Sequence, residues 1–384
     1  MRGGIVLFAK RPGVTSFSSL FSIKRALGTK KVGHTGTLDS FASGLLVVCT
    51  GSLTRIASYI TSFNKTYDAV IEFGVETDTL EYTGKIVNTA PLPKKDDVLS
   101  AIKQYTGDIL QTPPLFSALH INGERASDIA RSGRVAEMPS RPVTVFASEA
   151  EEFLLEDDRV KAVRVRFSVS KGTYIRSLAR DIGSCCKSAA HLAGLRRLSV
   201  GSFRLEDAAG FSSLAPFTIQ SVYQTISDMQ KAQSASCKAG VSEHTSHSGE
   251  DVQSEVREKM QTMTESLAAE CGFGTAHIFP EYEDDFKHGR PLFSLMFEKG
   301  AGGLCAADGA TAVHGTCTAA SKEKSGGVCS SSAVFSANDV SSGSGTCASG
   351  GEGAIAVFGK HGNFLGMISR NGEDAYSYAF VIPD

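Results

Sequence analysis

Near the start of the chain, one imidazole and one carboxylate sit inside a glycine-bearing turn. The stretch from Lys31 to Cys49 reads K-V-G-H-T-G-T-L-D-S-F-A-S-G-L-L-V-V-C, with His34 and Asp39 between two apolar runs. Gly33 and Gly36 are expected to take positive φ, which lets a turn approach another molecule and project His34 and Asp39 from it. Ala42, Leu45, Leu46, Val47 and Val48 read as a buried element anchoring that turn. One carboxylate held on a rigid turn can serve as a nucleophile or as a base. Taken alone, G-T-L-D is an ordinary turn, in which an Asp more often caps a helix than does chemistry.

The elements that must position this turn follow from periodicity. Gly4 to Ala9 reads as a strand, and Ser16 as the cap of a helix with Phe17, Leu20, Phe21 and Leu27 at helical spacing before Gly28. Lys10, between them, either meets a phosphate or stays solvated. A strand from Lys65 puts Tyr67, Ala69, Ile71 and Phe73 on one face, and Lys94 to Tyr105 reads as a helix. Strands start at Val143 and Val160, the second alternating Val163, Val165, Phe167 and Val169 with Arg164, Arg166 and Ser168. Gly172 ends that strand, and Ile175, Leu178, Ala179 and Ile182 then share a helical face. Tyr174 and Arg176 fall at the N-terminus of this helix, where a cation opposes the dipole, so Arg176 is expected to have a partner.

The 384 residues carry a formal net charge of −2, unevenly spread. Residues 1–210 hold 28 Lys and Arg against 21 Asp and Glu, and the remainder 11 against 20. A basic N-terminal half suits a polyanion, with Lys30, Lys31, Arg125, Arg131, Arg134, Arg141, Arg164, Arg166, Arg196 and Arg197 among its charges. The nine cysteines show no C-x-x-C pair and His191 has no partner at ligand spacing, so neither a metal nor a disulfide framework is expected, and His191 reads as structural. No apolar run is long enough for a signal peptide or membrane span, which makes the cytoplasm the default.

The full pattern G-H-x-G-T-L-D-x-x-A-x-G-x-L, from Gly33 to Leu46, resembles the TruB-type tRNA pseudouridine synthases of the bacterial stand-alone kind. Further matches are K-x-x-G-x-T-S at Lys10 to Ser16, K-x-Y at Lys65 to Tyr67, T-D-T at Thr77 to Thr79, Q-x-P-P-x-F-S-A at Gln111 to Ala118, G-T-Y-I-R at Gly172 to Arg176 and A-H-L-x-x-L-R-R at Ala190 to Arg197. The chain departs from the family pattern at Arg11, Ser40, Glu81, His120 and Ser127. The resemblance implies Asp39 as catalytic nucleophile and His34 as an RNA contact at the flipped uridine. It further implies Tyr67 against the target base, Tyr174 as a substrate-site aromatic, Arg176 as ion-pair partner of Asp39 and Leu195 lining the uracil pocket.

The fold it implies is α+β: a mixed, largely antiparallel sheet with helices, and a small C-terminal PUA-like β-barrel. The corresponding division is a catalytic domain over 1–228 with an RNA-gripping insertion at about 111–141, a polar linker or insert over 229–277, and the C-terminal domain over 278–384. A Gly/Ser-rich stretch at about 299–352 reads as a disordered loop interrupting that last domain. The implied reaction converts uridine 55 in the tRNA T-loop to pseudouridine in a monomeric enzyme without cofactor. Whether Asp39 attacks covalently or abstracts a ribose proton stays open. Two other readings are a non-catalytic tRNA-folding module and a guide-RNA-directed rRNA synthase. A glycosidase fits less well, because that chemistry ordinarily needs two facing carboxylates.

Overall fold

The computed structural model describes residues 3–121, 123–134, 137–239, 250–298, 353–370 and 376–382. The Gly/Ser-rich stretch expected to be disordered, 299–352, lies outside these residues.

The chain begins with β1 (Ile5–Lys10), α1 (Ser16–Leu27), β2 (Val32–His34), β3 (Ser43–Thr50), α2 (Ala57–Thr61) and β4 (Lys65–Phe73). A small hairpin, β5 (Val75–Thr77) with β6 (Ile86–Thr89), leads to α3 (Lys95–Gln104) and β7 (Gly107–Gln111). A second hairpin, β8 (His120–Ile121) with β9 (Glu124–Arg125), and α4 (Ala126–Arg131) fall within 111–141. The long pair β10 (Arg141–Glu156) and β11 (Arg159–Val169), α5 (Ile175–Cys185), β12 (Ala190–Val200) and β13 (Phe203–Arg204) complete the main layer.

Nine strands form one sheet in the order β1-β3-β12-β4-β11-β10-β7, with β2 on β3 and β13 on β12. Every pairing is antiparallel except β12 with β3, so the sheet is mixed and largely antiparallel, as expected. All eight residues of β3 are buried, the mark of a strand covered on both faces. On one side Ala69, Ile71, Phe73, Val163, Val165 and Phe167 pack against α5 through Ile175, Leu178, Ala179 and Ile182.

The parallel contact of β3 with β12 depends on a glycine. Gly44 has φ +112, and a Cβ there would stand 2.3 Å from the Arg197 carbonyl oxygen and 2.5 Å from its nitrogen. Gly33 and Gly36, expected to need positive φ, do not adopt it; the left-handed positions flanking the turn are Gly13 and Gly44. Helix α1 also differs from its sequence reading. Its cap is Thr15, which accepts from the Ser18 amide, and its buried side is Leu20, Ile23, Ala26 and Leu27, leaving Phe17 and Phe21 exposed.

Beyond residue 210 come α6 (Ile219–Ala239), α7 (Glu250–Glu258), α8 (Glu265–Glu270), β14 (Gly274–His277), α9 (Glu283–Lys287), β15 (Ala354–Phe358), β16 (Phe364–Arg370) and β17 (Tyr376–Val381). The span 229–277, read as polar linker or insert, therefore holds ordered elements. Val252 and Val256 of α7 bury against α1, and β14 pairs in parallel with β15. Both are short segments whose few apolar residues give no readable period. Among the described residues the C-terminal strands form an open four-stranded sheet, β14-β15-β16-β17, not a closed barrel. Its Ala356, Phe358 and Met367 share one apolar cluster with Ile5, Leu7, Leu45 and Val47 of the main sheet.

Candidate active site

Asp39 projects from the turn between β2 and β3, and four tethers hold that turn. Thr35 donates from its amide to the Val47 carbonyl at 3.0 Å, the Ala42 amide donates to the Asp39 carbonyl at 3.2 Å, and the Gly13 amide donates to the Ser40 carbonyl at 2.8 Å. Ser16 completes the set: its Oγ accepts from the Leu38 amide at 2.8 Å and lies 3.0 Å from the Leu38 carbonyl, which it can reach as donor. The helix-start Ser16 is thus a buckle on the residue before Asp39.

Two buried cations brace the same turn from below. Arg197 is fully enclosed and donates to the Leu45 carbonyl at 2.8 Å and the Gly36 carbonyl at 3.1 Å. Lys10, read as a phosphate contact or a solvated lysine, is neither: it is 0% exposed, and its Nζ donates to the carbonyls of Ala42 (2.5 Å), Arg11 (3.1 Å) and Ser40 (3.3 Å). Burial drives its pKa down to about 7, with the Asp39 carboxylate pulling upward and the Arg197 guanidinium downward. The local sequence gives no sign of this, because a lysine ending a strand looks the same solvated or enclosed.

Arg176 closes on Asp39 from the first turn of α5. Its Nη2 donates to Asp39 Oδ1 at 3.2 Å, and its Nε lies 2.9 Å from Oδ2 as an ion-pair contact without hydrogen-bond geometry, so the pair meets at two points through one hydrogen bond. The guanidinium is buried and also donates to the Thr79 carbonyl at 2.9 Å and the Phe116 carbonyl at 3.0 Å, while Asp39 keeps about a third of its side chain open. The misfit of a cation at this helix start is resolved by those three acceptors. Helix α5 begins at Tyr174, which Gln111 clamps: Oε1 accepts from the Tyr174 amide at 2.8 Å and Nε2 donates to its carbonyl at 3.1 Å. Gln111 was legible only as part of a motif, and its role as a surrogate cap was not.

Tyr174 flanks the pair, and burial raises its phenol pKa. Tyr67 on β4 packs against, and Leu195 on β12 belongs to, the apolar cluster that also contains Leu38, Phe41 and Ile175. His34 lies at the end of β2, on the strand that enters the turn. Burial first, and the Arg197 guanidinium second, lower its pKa, so the ring stays neutral, and its Nδ1 is buried without a hydrogen-bond partner. Glu81, not singled out by sequence as an acid of the site, feels both Arg176 and Asp39, and burial raises its pKa. A cavity of about 270 Å³ between β12, Pro12 and α6 shares Phe41, Tyr82 and Leu195 with this region but holds no carboxylate. His191 is a structural residue, its Nδ1 2.9 Å from the Val75 carbonyl. Among the described residues no three His, Cys, Asp or Glu side chains gather to hold a metal ion, and no helix is long and apolar enough to cross a membrane.

The arrangement offers a partly open carboxylate, Asp39, held by a buried guanidinium, with a second carboxylate, Glu81, in electrostatic reach of both. Residues 24–175 match the family model described as TruB family pseudouridylate synthase (N terminal domain), and together with the relatives that follow this makes the chain an isomerase of the pseudouridine synthase class. The protein named tRNA pseudouridine synthase B of Treponema denticola is 48% identical over 229 residues, covering 56% of this chain and 64% of that one. The protein of that name in Treponema pallidum is 36% identical over 322 residues, covering 78% of this chain and 88% of that one. The chain belongs to the TruB family. In fold it is similar to a solved structure described as a Cbf5-Nop10-Gar1 complex, with a TM-score of 0.55 and 20% identity, covering 99% of this chain and 85% of that one.

Proposed function

We propose that the chain isomerises uridine 55 in the T-loop of tRNA to pseudouridine, with Asp39 as the group that attacks the flipped-out nucleoside. The observation that carries this reading is the two-point contact of Arg176 with a carboxylate that remains partly open. The tRNA substrate is supported by the relatives, which bear the name tRNA pseudouridine synthase B at 48% and 36% identity.

In the reaction the bond from C1′ to N1 breaks, the uracil turns, C5 bonds to C1′, and C5 then loses its proton while N1 gains one. Atoms are conserved and no electrons leave, so the chemistry asks for no redox partner. A base stacked in a folded loop must first be extruded, and the gap it leaves needs a filler. His34, neutral and with a free buried Nδ1, fills that role on the strand that enters the turn. Tyr67 stacks on the extruded uracil and is the candidate acceptor for the C5 proton. Leu195 and Tyr174 supply the walls. Arg176 holds Asp39 ionised and oriented while water is excluded. The insertion over 111–141 grips the T-arm, its Arg125 and Arg141 exposed for phosphate contact. The protein acts as a monomer in the cytoplasm.

The test is pseudouridine mapping on an unmodified T-arm stem-loop and on whole tRNA, incubated with the protein and no guide RNA. Modification at position 55 alone is expected. Modification only with an added guide, or none while RNA is bound, would replace this reading with the guided or the non-catalytic one.

A further inference from the structure

Helix α1 carries an aromatic pair that joins no apolar cluster among the described residues. Phe17 and Phe21 are 64% and 61% exposed, one turn apart, with ring centroids at 6.0 Å and planes at 85°. The Lys24 ammonium sits 5.4 Å from one centroid and 5.5 Å from the other. The buried side of the helix is already satisfied by Leu20, Ile23 and Leu27, and α7 packs on it through Val252 and Val256, with Arg257 Nε donating to the Ala26 carbonyl at 2.8 Å. Two adjacent exposed phenylalanines under an ammonium are therefore surplus to folding.

Their surroundings select the partner. Residues 3–38 contain no Asp or Glu, while Arg25, Lys30 and Lys31 are exposed on α1 and on the loop after it. Both ends of this unit reach the site: Ser16 is bonded to Leu38 beside Asp39, and the chain after Lys31 runs through β2 to His34. A helix of this length spans about 18 Å. The stripe thus starts beside the site and leads away from it with one sign of charge along its own chain, the exposed acids Asp251 and Glu258 lying on α7, which packs on the buried side of α1.

We propose that Phe17, Phe21 and Lys24 form a stacking and phosphate-binding surface for tRNA nucleotides that flank the modified one. Nucleobases stack on exposed aromatic rings whatever their sequence, and a cation beside the ring meets the neighbouring phosphate. This rests on the tRNA reading above and deepens it, adding a binding surface outside the catalytic pocket.

The experiment compares wild type, F17S/F21S and K24Q/R25Q for equilibrium binding of an unmodified tRNA transcript at several salt concentrations. Sedimentation and the single-turnover rate at saturating RNA are measured alongside. These side chains face solvent, so both variants are expected to melt with the wild type. F17S/F21S should bind roughly 5- to 100-fold more weakly with an unchanged salt slope, as loss of base stacking predicts. K24Q/R25Q should flatten the log-log salt slope by about one to two. Neither should change the rate at saturation. Wild-type binding by both variants overturns the proposal, as does a change confined to sedimentation, which would make the stripe a protein-docking face. Absence of pseudouridine in the wild-type reaction would sink the isomerase reading instead, and the binding comparison would still decide the stripe.

Discussion

At the scale of single residues, the account rests on three charges around one turn. Arg176 touches Asp39 at two points and two carbonyls besides, so truncating it removes orientation and charge together. R176A is expected to lower the single-turnover rate on the order of 10²-fold or more, the usual loss for a deleted electrostatic partner. R176K should fall between, since it keeps the charge and loses the planar fork. A wild-type rate for R176A would remove the pair from the chemistry. Lys10 makes a signed prediction about stability. Its ammonium holds three carbonyls of the loop, so K10M should destabilise by about 2 to 4 kcal/mol. Because its folded pKa lies near 7, below the unfolded 10.5, the unfolded chain binds the extra proton between those values. Wild-type stability relative to K10M should therefore rise as pH goes from about 7 to about 10 and stay flat below 7. Denaturant melts across that range check it, and a falling difference would contradict it. Arg176 was legible in sequence because a cation misfits a helix start. Lys10 was not, since a lysine's burial depends on what folds over it from 30 residues away.

At the scale of elements, the turn bearing Asp39 is exact only because its flanking strands are. The Gly44 position leaves no room for a side chain, and its φ of +112 is costly for any other residue. G44A should cost about 3 kcal/mol or more and displace β3 from β12, read by a drop in melting temperature. A melt equal to wild type would show the parallel contact to be adjustable. The glycines singled out in sequence were the wrong ones, because G-H-T-G advertises a turn, whereas Gly44 answers to a strand more than 150 residues away. Helix α1 teaches the same lesson. Phe17, Leu20, Phe21 and Leu27 do lie at helical spacing, yet Ile23 and Ala26 set the buried face and rotate the phenylalanines outward. Periodicity identifies a helix more securely than it identifies which face is buried, when apolar residues lie on both.

At the scale of the whole molecule, the charge count of the N-terminal half overstates what faces outward. Arg164 and Arg166 are paired with Asp68 and Glu151, Arg197 is enclosed, and Arg196 lies over the Phe217 ring with its pKa lowered by burial to about 10. Arg164, Arg196 and Arg197 are drawn into the sheet, Arg166 is paired yet exposed, and Lys30, Lys31, Arg125, Arg131, Arg134 and Arg141 are exposed. RNA affinity should still fall steeply with salt, with a log-log slope of roughly −0.7 per phosphate contact on single strands, and R164Q should lower stability while leaving that slope unchanged. The α+β class and the largely antiparallel sheet followed from the family resemblance that the motifs carry, and alternation located single strands within it. The union of the C-terminal sheet with the main sheet was not readable, because it arises from residues such as Phe358 and Leu45 meeting across the chain.

The most direct test of the central claim is the single-turnover rate of D39N on a T-arm stem-loop, measured beside its binding constant. The change is nearly isosteric and leaves the phosphate contacts in place, so binding within about tenfold of wild type is expected. Pseudouridine formation should be undetectable. Turnover near the wild-type rate would contradict the assignment of Asp39, and with it the account of why the turn, Lys10 and Arg176 are built around that carboxylate.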